Sequence, residues 1–292
     1  MERIIIEAAV SGPAKSRNSK APVTAAETTR DILACIDAGA AVVHNHLESF
    51  NITGPAAAEG YGAIWRPVLA RHPEAILIPT LAAPHPDDEL GAYAHIPGAM
   101  ANGASLGPID PGSVNLSGAL PDGQPDPARS AAFVNDYATL DRALERYARH
   151  GVPSSISIWD PTFLRAAMAY ERAGRFAPGS FLKLFFGGDH SYLDGRPGVS
   201  FGLPPTVEAL DLYLRMMEGS RLPWAAAVLG GDLVAEPGFV EAVVARGGHL
   251  RVGLEDYAGD RTPANGDIVA AAVARLAGLG RAPATQAEAR AM

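Results

Sequence analysis

The stretch TAAETTRDILACIDAGAAVVHNHL, residues 24–47, holds one helix-to-strand unit and sets the pattern for the rest of the chain. Thr24 and Glu27 form a capping-box pattern that opens a helix, and Gly39 is the residue type that commonly ends one. Residues 40–47 follow as a short run rich in alanine and valine. Such a run is typical of a strand that is buried on both faces of a parallel sheet.

The same unit recurs along the chain. Apolar runs that predict strands also occupy 3–10, 75–81, 113–116, 154–160, 181–186, 224–230 and 249–255, and helical patterns occupy 60–71, 132–150, 161–173, 206–218, 236–246 and 265–279. Strict alternation favours a parallel sheet, and about eight units favour its closure into a barrel. We therefore expect one (β/α)8 TIM barrel over residues 1–292, with its active site at the C-terminal ends of the strands. An open doubly wound sheet is the alternative, but VSGP at 10–13 lacks the glycine-rich phosphate turn expected of it.

The composition excludes several classes of protein. Of the 292 residues, 48% are hydrophobic and 19% are charged, which is ordinary for a globular protein and wrong for a disordered one. The net charge of −8 comes without a basic stripe, so we expect no nucleic-acid partner. The one cysteine, Cys35, cannot form an internal disulfide. The first apolar run is too short for a signal sequence and no run is long enough for a membrane span, so we expect a cytoplasmic protein.

Two long connections, 82–112 and 187–205, each follow a predicted strand. Connections of this length inside a compact domain are usually functional, and those that follow barrel strands lie on the catalytic face. We expect both connections to shape the active-site pocket.

His44 and His46 stand at the end of the strand predicted over 40–47. Residues two apart on a strand point to the same face, with Cα atoms roughly 6–7 Å apart, so two imidazoles can converge on one metal ion. The C-terminal end of a barrel strand is also where such enzymes hold their active site. The pair therefore indicates a metal site, with a purely structural pair of histidines as the alternative.

A third metal ligand is expected from the last predicted strand, in which Arg251, Gly253 and Glu255 share the inward face. Charged side chains on that face are costly unless they are used or paired. Two histidines and Glu255 make the open ligand set of a catalytic zinc site. The alternative is an ion pair between Arg251 and Glu255, which would need a fully extended arginine because four strand residues span roughly 13 Å.

Asp256 and Gly253 complete the predicted site. Asp256 follows Glu255 as the strand ends, where its side chain would lean into the loop, free to act as a base. A turn-forming or helix-capping aspartate is the alternative. Gly253 has no side chain and would leave space for a ligand above the barrel core.

With these residues, the sequence resembles the β-keto acid cleavage enzymes, the family of the 3-keto-5-aminohexanoate cleavage enzyme. The matching segments run nearly end to end, and the H-x-H strand combined with RVGLED is highly specific. The segments are AAVSG at 8–12, AGAAVVHNHLE at 38–48, GSVN at 112–115, WD at 159–160, GLPPTVE at 202–208, GGHLRVGLEDY at 247–257 and ATQAEAR at 284–290.

The resemblance implies a (β/α)8 barrel with one zinc ion per subunit, usually assembled as a homo-oligomer, often a tetramer. It implies a Claisen-type transfer in which a β-keto acid and acetyl-CoA, as co-substrate, give a new acyl-CoA and acetoacetate. The roles it implies are zinc ligands at His44, His46 and Glu255, a catalytic base at Asp256, a supporting arginine at Arg251, and substrate-contacting hydroxyl groups at Thr80 and Ser113.

The sequence also departs from the family pattern. The lysine-fermentation enzyme carries two glutamates where this chain has Ala14 and Ser157. Those carboxylates suit an ammonium-bearing substrate, and here Lys15 and Arg17 lie close to the first position and Trp159 to the second. Our hypothesis is a substrate tail that is neutral or anionic rather than cationic.

Three other functions compete with this interpretation. The first is a metal-dependent barrel lyase or aldolase that does not use acetyl-CoA. The second is a metal-dependent hydrolase, in which the metal activates water. The third is a non-catalytic scaffold, which the fold alone does not exclude.

Overall fold

A computed structural model describes residues 3–12, 18–84, 87–198 and 201–291 of the chain. Most of the strands in these ranges are short and fully buried, as expected where helices cover a parallel sheet. In chain order they are β1 (Arg3–Ile4), β2 (Ile6–Ala9), β3 (Val42–Asn45), β4 (Ile76–Pro79), β5 (Gly107–Ile109), β6 (Val114–Ala119), β7 (Pro125–Phe133), β8 (Ser154–Ile158), β9 (Phe181–Gly187), β10 (Trp224–Leu229), β11 (His249–Val252) and β12 (Ala282–Pro283).

Eight of these strands form the central sheet, in the order β4-β3-β2-β11-β10-β9-β8-β5, and all neighbouring pairs are parallel. The two ends of the sheet meet where Ser105, just before β5, donates its backbone N–H to the carbonyl of Leu77 in β4 at 2.8 Å. The sheet is therefore a nearly closed barrel. The predicted (β/α)8 fold is confirmed.

Helices connect the barrel strands and cover the outside of the sheet. They are α1 (Ala25–Ala38), α2 (Gly54–Arg71), α3 (Ile96–Ala101), α4 (Tyr137–His150), α5 (Pro161–Arg172), α6 (Val207–Met216), α7 (Phe239–Ala245), α8 (Asn265–Gly278) and α9 (Gln286–Arg290). Within the described ranges, none of them combines the length and the apolar character needed to cross a membrane.

The predicted start and end of α1 are confirmed. Thr24 accepts a hydrogen bond from the Glu27 backbone, Glu27 accepts one from the Thr24 backbone, and Gly39 ends the helix with φ at 116°. Asn265 is the first residue of α8. Its side chain is buried and bonds the backbone of Leu254 and of Val10, so it ties the helix to the top of two barrel strands.

The prediction for the fourth barrel strand was wrong. Residues 113–116 do not enter the barrel; that place belongs to β5, which has only three residues and includes a glycine and a proline. Residues Val114–Ala119 instead pair with Pro125–Phe133 as an antiparallel hairpin on the C-terminal face of the barrel. A strand of three residues is too short to show a periodicity, and its burial depends on neighbouring strands.

The inside of the barrel changes from apolar to polar along the strand direction. Its N-terminal layer contains Ile5, Val42 and Phe181, which are buried in one small apolar cluster. Two residues further along the same strands, the inward side chains are Glu7, His44 and Lys183. Because side chains on one face of a strand repeat every second residue, each of these polar side chains lies one layer nearer to the C-terminal face.

Candidate active site and metal centre

The C-terminal ends of the barrel strands surround a cavity of about 540 Å³. Its walls are mainly apolar, and both long connections named above contribute to them, as predicted. Eight of the polar side chains that line it come from six different barrel strands or from the residues just after them: His44, His46, Thr80, Asp110, Ser157, Lys183, Arg251 and Glu255.

The predicted metal ligands meet on one side of this cavity. His44 Nε2 lies 3.3 Å from Glu255 Oε2, and His46 Nε2 lies 3.0 Å from Glu255 Oε1. One ligand atom from each residue falls within 4.8 Å of the others, and all three side chains are buried. Two imidazole nitrogens and one carboxylate oxygen at this spacing are a donor set that suits a divalent transition metal.

Strand β3 positions the two histidines by its alternation. Asn45, between them, points the opposite way, where its Oδ1 accepts a hydrogen bond from Trp65 Nε1 of α2 at 2.8 Å. The backbone of His46 donates to Ser11 Oγ at 2.8 Å, which holds the end of β3 against the loop after β2. Both imidazoles therefore face inward for the reason inferred from the sequence.

The charge states of His44 and Glu255 suit metal binding. Burial lowers the pKa of His44 to about 4, so its imidazole is neutral at pH 7 and has a lone pair to offer. Burial by itself raises the pKa of Glu255, but His46, Arg251 and His44 together hold it well below its usual range. Glu255 is therefore ionised, as a metal ligand must be.

Arg251 connects the triad to two more carboxylates beneath the cavity. Its Nη1 donates to Glu7 Oε1 at 2.8 Å, and its Nε and Nη2 donate to both oxygens of Asp256 at 3.0 and 2.9 Å. Its Nη2 also lies 3.0 Å from Glu255 Oε2. The guanidinium is 1% exposed and stands 5.1 Å above the ring of Phe185. It is thus held rigidly while it contacts three acidic groups.

The chain after β11 does not continue as an extended strand, which corrects the prediction for residues 249–255. The strand ends at Val252, and the backbone N–H of Asp256 and that of Tyr257 both return to the carbonyl of Gly253. This turn folds Glu255 back over Arg251, so the ion pair offered as an alternative to the metal site is present together with the ligand set.

The same turn changes the expectations for Asp256 and Gly253. Asp256 is not free in a loop: it is buried and bound through both oxygens by Arg251. Burial raises its pKa to about 6, against the opposing effect of Arg251. Gly253 does not make room for a ligand. Its φ is +145°, and a Cβ there would lie 2.2 Å from the carbonyl oxygen of Ala9.

The two predicted substrate-contacting hydroxyl residues lie in different places. Thr80 lines the cavity directly after β4, and its backbone is bonded to Tyr61 Oη at 3.0 Å and to His95 Nε2 at 2.8 Å. Ser113 is exposed at the base of the hairpin, where its Oγ accepts a hydrogen bond from the Asn135 backbone at 3.0 Å. The structure therefore places Thr80 in the wall of the cavity that the triad lines, whereas Ser113 is not one of the lining residues.

Four site residues were missed by the sequence argument: Glu7, Asp110, Lys183 and Tyr192. The charges of Glu7 and Lys183 within apolar strands were a usable signal, because an inward charge in a parallel barrel needs a reason. Lys183 Nζ lies 3.8 Å from Glu7 Oε1, and both are buried. Tyr192 donates its hydroxyl to Glu255 Oε1 at 3.1 Å from the long connection after β9, where no pattern marks it.

The departures from the family pattern fall partly on described residues. Ser157 and Trp159 both line the cavity, on β8 and just after it. Ala14, Lys15 and Arg17 lie outside the described residues.

Comparison with known proteins agrees with this geometry. A family model of the β-keto acid cleavage enzymes matches residues 3–292. The 3-keto-5-aminohexanoate cleavage enzyme of Acetoanaerobium sticklandii is 25% identical over 298 residues, covering 99% of this chain and 97% of that enzyme. The 3-oxoadipate:acetyl-CoA acetyltransferase of Cupriavidus necator is 23% identical over 296 residues, covering 99% and 93%.

Among solved structures, the ternary complex of ObcA with a C4-CoA adduct and oxalate resembles this chain with a TM-score of 0.69 and 16% identity, over 94% of this chain and 67% of that one. This likeness supports the barrel fold alone. The family model spans all of the chain but its first two residues. The chain belongs to the β-keto acid cleavage enzyme family.

Proposed function

We propose that this chain is a zinc-dependent transferase that acts on a β-keto acid and acetyl-CoA. A keto acid R–CO–CH2–COO⁻ and acetyl-CoA would give the acyl-CoA R–CO–S–CoA and acetoacetate. One observation carries the proposal: in a chain of this family, the buried triad of His44, His46 and Glu255 faces a cavity large enough for a keto acid. The names of the two relatives support the substrates, since one specifies cleavage of a keto acid and the other a transfer with acetyl-CoA.

The donor set favours zinc over harder metals. Magnesium and calcium prefer oxygen ligands, whereas two imidazoles and one carboxylate suit zinc and leave positions open for substrate. His44, His46 and Glu255 would hold the ion. When bound, it would supply a Lewis acid that polarises the keto group of the substrate.

Asp256 is the proposed base and Arg251 its support. The most acidic carbon-bound proton of a β-keto acid is on C2, between the ketone and the carboxylate. Asp256 would take that proton, and C2 would then attack the acetyl carbonyl and release the CoA thiolate. The thiolate would add to the ketone carbon, the C2–C3 bond would break, and C2 would regain its proton as acetoacetate leaves. Arg251 would stabilise the negative charge that develops on oxygen during these steps.

The remaining predictions complete the proposal. Thr80 and Ser113 are proposed to contact the substrate, and the tail of the keto acid is proposed to be neutral or anionic. The buried cation of Lys183, which lines the cavity, supports this because it disfavours an ammonium group nearby. We further propose a single barrel domain over 1–292, a homotetrameric assembly and a cytoplasmic location, without nucleic-acid or membrane partners.

An isotope experiment tests the function. Metal-loaded protein is incubated with a panel of β-keto acids and with acetyl-CoA labelled with ¹³C in both acetyl carbons, and the products are followed by mass spectrometry. The transferase should place both labels in acetoacetate and none in the new acyl-CoA. Asp256→Asn, which keeps the size of the side chain, should slow turnover about 10²- to 10⁴-fold, the typical contribution of a general base.

The same assay includes a control variant and distinguishes the transferase from the competing functions. Asp37→Asn makes the same chemical change on the exposed end of α1, on the opposite face of the barrel, and should leave turnover unchanged. Cleavage that persists without acetyl-CoA would instead identify a lyase or aldolase. Turnover of esters or amides without any CoA compound would identify a hydrolase.

A further inference from the structure

Asp110 is a buried acidic residue on the cavity wall that the reaction above does not use. It follows directly after β5, is 8% exposed and lines the cavity. Its Oδ1 is buried and has no hydrogen-bond partner among the described residues. A buried carboxylate oxygen left without a donor is costly, so this atom indicates a group that is supplied by a ligand.

Asp110 stands with two other polar groups on adjacent strands. Ser157 of β8 and Lys183 of β9 both lower the pKa of Asp110, against the effect of its burial. The strand order β9-β8-β5 puts these three residues side by side. Around the barrel, β10 lies between this group and β11, which leads to Glu255. On the other side, β4 lies between this group and β3, which carries His44. The three residues therefore lie across the barrel from His44 and Glu255.

The charges around Asp110 restrict what its free oxygen can bind. An anionic group would be repelled by the carboxylate itself, which burial brings to a pKa of about 6 and which is therefore ionised above that pH. A cationic group would be repelled by Lys183, which is 2% exposed and lines the same cavity. An uncharged hydrogen-bond donor remains, and the nearby apolar side chains of Leu116, Phe133 and Trp159 would pack against its carbon chain.

We propose that Asp110, Ser157 and Lys183 form a second subsite that binds a hydroxyl group on the tail of the β-keto acid. This inference rests on the proposed function, because it assumes that the keto and carboxylate groups lie at the triad. Asp110 accepts the hydrogen bond from the hydroxyl, and Ser157 orients Asp110. Asp110 is thus a specificity-determining residue, and the preferred substrate is a hydroxylated β-keto acid.

A matched series of substrates tests the subsite. Steady-state kinetics with acetyl-CoA are compared for 3-oxohexanoate, its 4-hydroxy and 5-hydroxy derivatives, and its 5-amino derivative. The protein should prefer one hydroxy derivative over 3-oxohexanoate by about 10- to 100-fold in kcat/KM, the usual effect of a hydrogen bond to a charged group. Equal rates, or a preference for the amino derivative, would overturn the proposal.

Variants assign that preference to the subsite. Asp110→Ala should reduce the ratio between the hydroxy derivative and 3-oxohexanoate to about one, and Asp110→Asn, which keeps an oxygen acceptor, should restore part of it. The ratio is measured within one protein preparation, so partial unfolding of a variant does not change it. Asp37→Asn should keep the full ratio. A ratio that survives Asp110→Ala would overturn the assignment, whereas a protein that turns over none of the four acids would contradict the proposed function instead.

Discussion

At the residue scale, the guanidinium of Arg251 pairs with the buried acidic groups beneath the cavity. Arg251 contacts the carboxylates of Glu7, Glu255 and Asp256, and these four groups are all nearly inaccessible to solvent. Buried charges are tolerated when they are paired and hydrogen-bonded, so Arg251 allows three acidic groups to share one small volume. The two histidines complete the arrangement, each with its Nε2 within 3.3 Å of a Glu255 oxygen.

We predict that His46→Ala abolishes stoichiometric metal binding. After loading with Zn²⁺ and dialysis, the natural protein should retain one ion per subunit, because three buried ligand atoms already lie within 4.8 Å of one another. Loss of a direct ligand should weaken binding by more than about 100-fold, since even an outer partner of a ligand is worth 10- to 100-fold. Metal content measured by mass spectrometry checks this.

The matched control is His150→Ala, which removes an exposed histidine at the end of α4. It should retain the full metal content. If His46→Ala keeps one tightly bound ion, the ligand assignment is wrong.

At the element scale, the turn after β11 decides whether the site forms. Gly253 has a positive φ and packs its bare Cα against the Ala9 carbonyl, which lets the Glu255 backbone donate to the same carbonyl at 3.1 Å. This contact joins β11 to β2 at their C-terminal ends. Glu255 can reach the histidines only because the turn is this close.

We predict that Gly253→Ala destabilises the protein by about 2 kcal/mol or more, because the new Cβ would lie 2.2 Å from Ala9 O in a strained backbone conformation. Metal affinity should fall with it, since Glu255 would be displaced. Urea unfolding and metal titration measure the two effects.

Gly278→Ala is the comparison at a helix end. A Cβ there meets no atom of the described residues within 4 Å, and φ is not in the left-handed region. The free energy of unfolding of this variant should increase by about 0.4–1 kcal/mol, because alanine reduces the conformational entropy of the unfolded chain. Similar effects at both positions would rule out a special role for the turn.

At the scale of the whole molecule, the N-terminal layer of the barrel depends on a neutral histidine. His249 Nδ1 accepts a hydrogen bond from the backbone of Ile5 at 3.1 Å and stacks on Phe181, and burial lowers its pKa to about 4. The bond links β11 to the segment just before β2. Protonation of Nδ1 would remove the acceptor and place a charge in an apolar layer.

We predict that the protein loses stability as the pH falls from about 6.5 toward 4. The unfolded histidine titrates near 6.5. Because the folded pKa is lower, the stabilisation from neutral His249 is complete above 6.5 and declines below it, by at most about 1.4 kcal/mol per pH unit. His249→Asn, which keeps an acceptor and cannot titrate, should lose less stability between pH 7.5 and 5.

Urea unfolding at the two pH values gives the comparison. His150→Asn, at an exposed position, should show the same pH dependence as the natural protein. A pH dependence that His249→Asn leaves unchanged would show that another group is responsible.

Much of the fold was predictable because it depends on local signals. The start and end of α1, the apolar strands and their alternation with helices each follow from neighbouring residues. β5 was not predictable, since three residues carry no period and their burial comes from β8 alongside. The hairpin over Val114–Phe133 was missed for a related reason: its strands are only partly buried and lack an apolar run.

The candidate site was predictable where it follows strand alternation. His44 and His46 face inward because they are two residues apart. Glu255 was predicted from the same alternation, but it reaches the histidines through the turn that follows Val252. The prediction for Asp256 was wrong in its surroundings, because the turn at Gly253 breaks the alternation on which it relied. Asp110 was missed together with the strand that carries it.

The sequence by itself determined the barrel and the inward direction of the two histidines, because both follow from short-range periodicity. Only the tertiary structure decided which charges meet. Arg251 and Glu7 are 244 residues apart and bond at 2.8 Å, and Asp110 faces the triad from across the barrel. Such pairs form only when the strands close on one another, and their energies depend on a burial that the linear chain does not display.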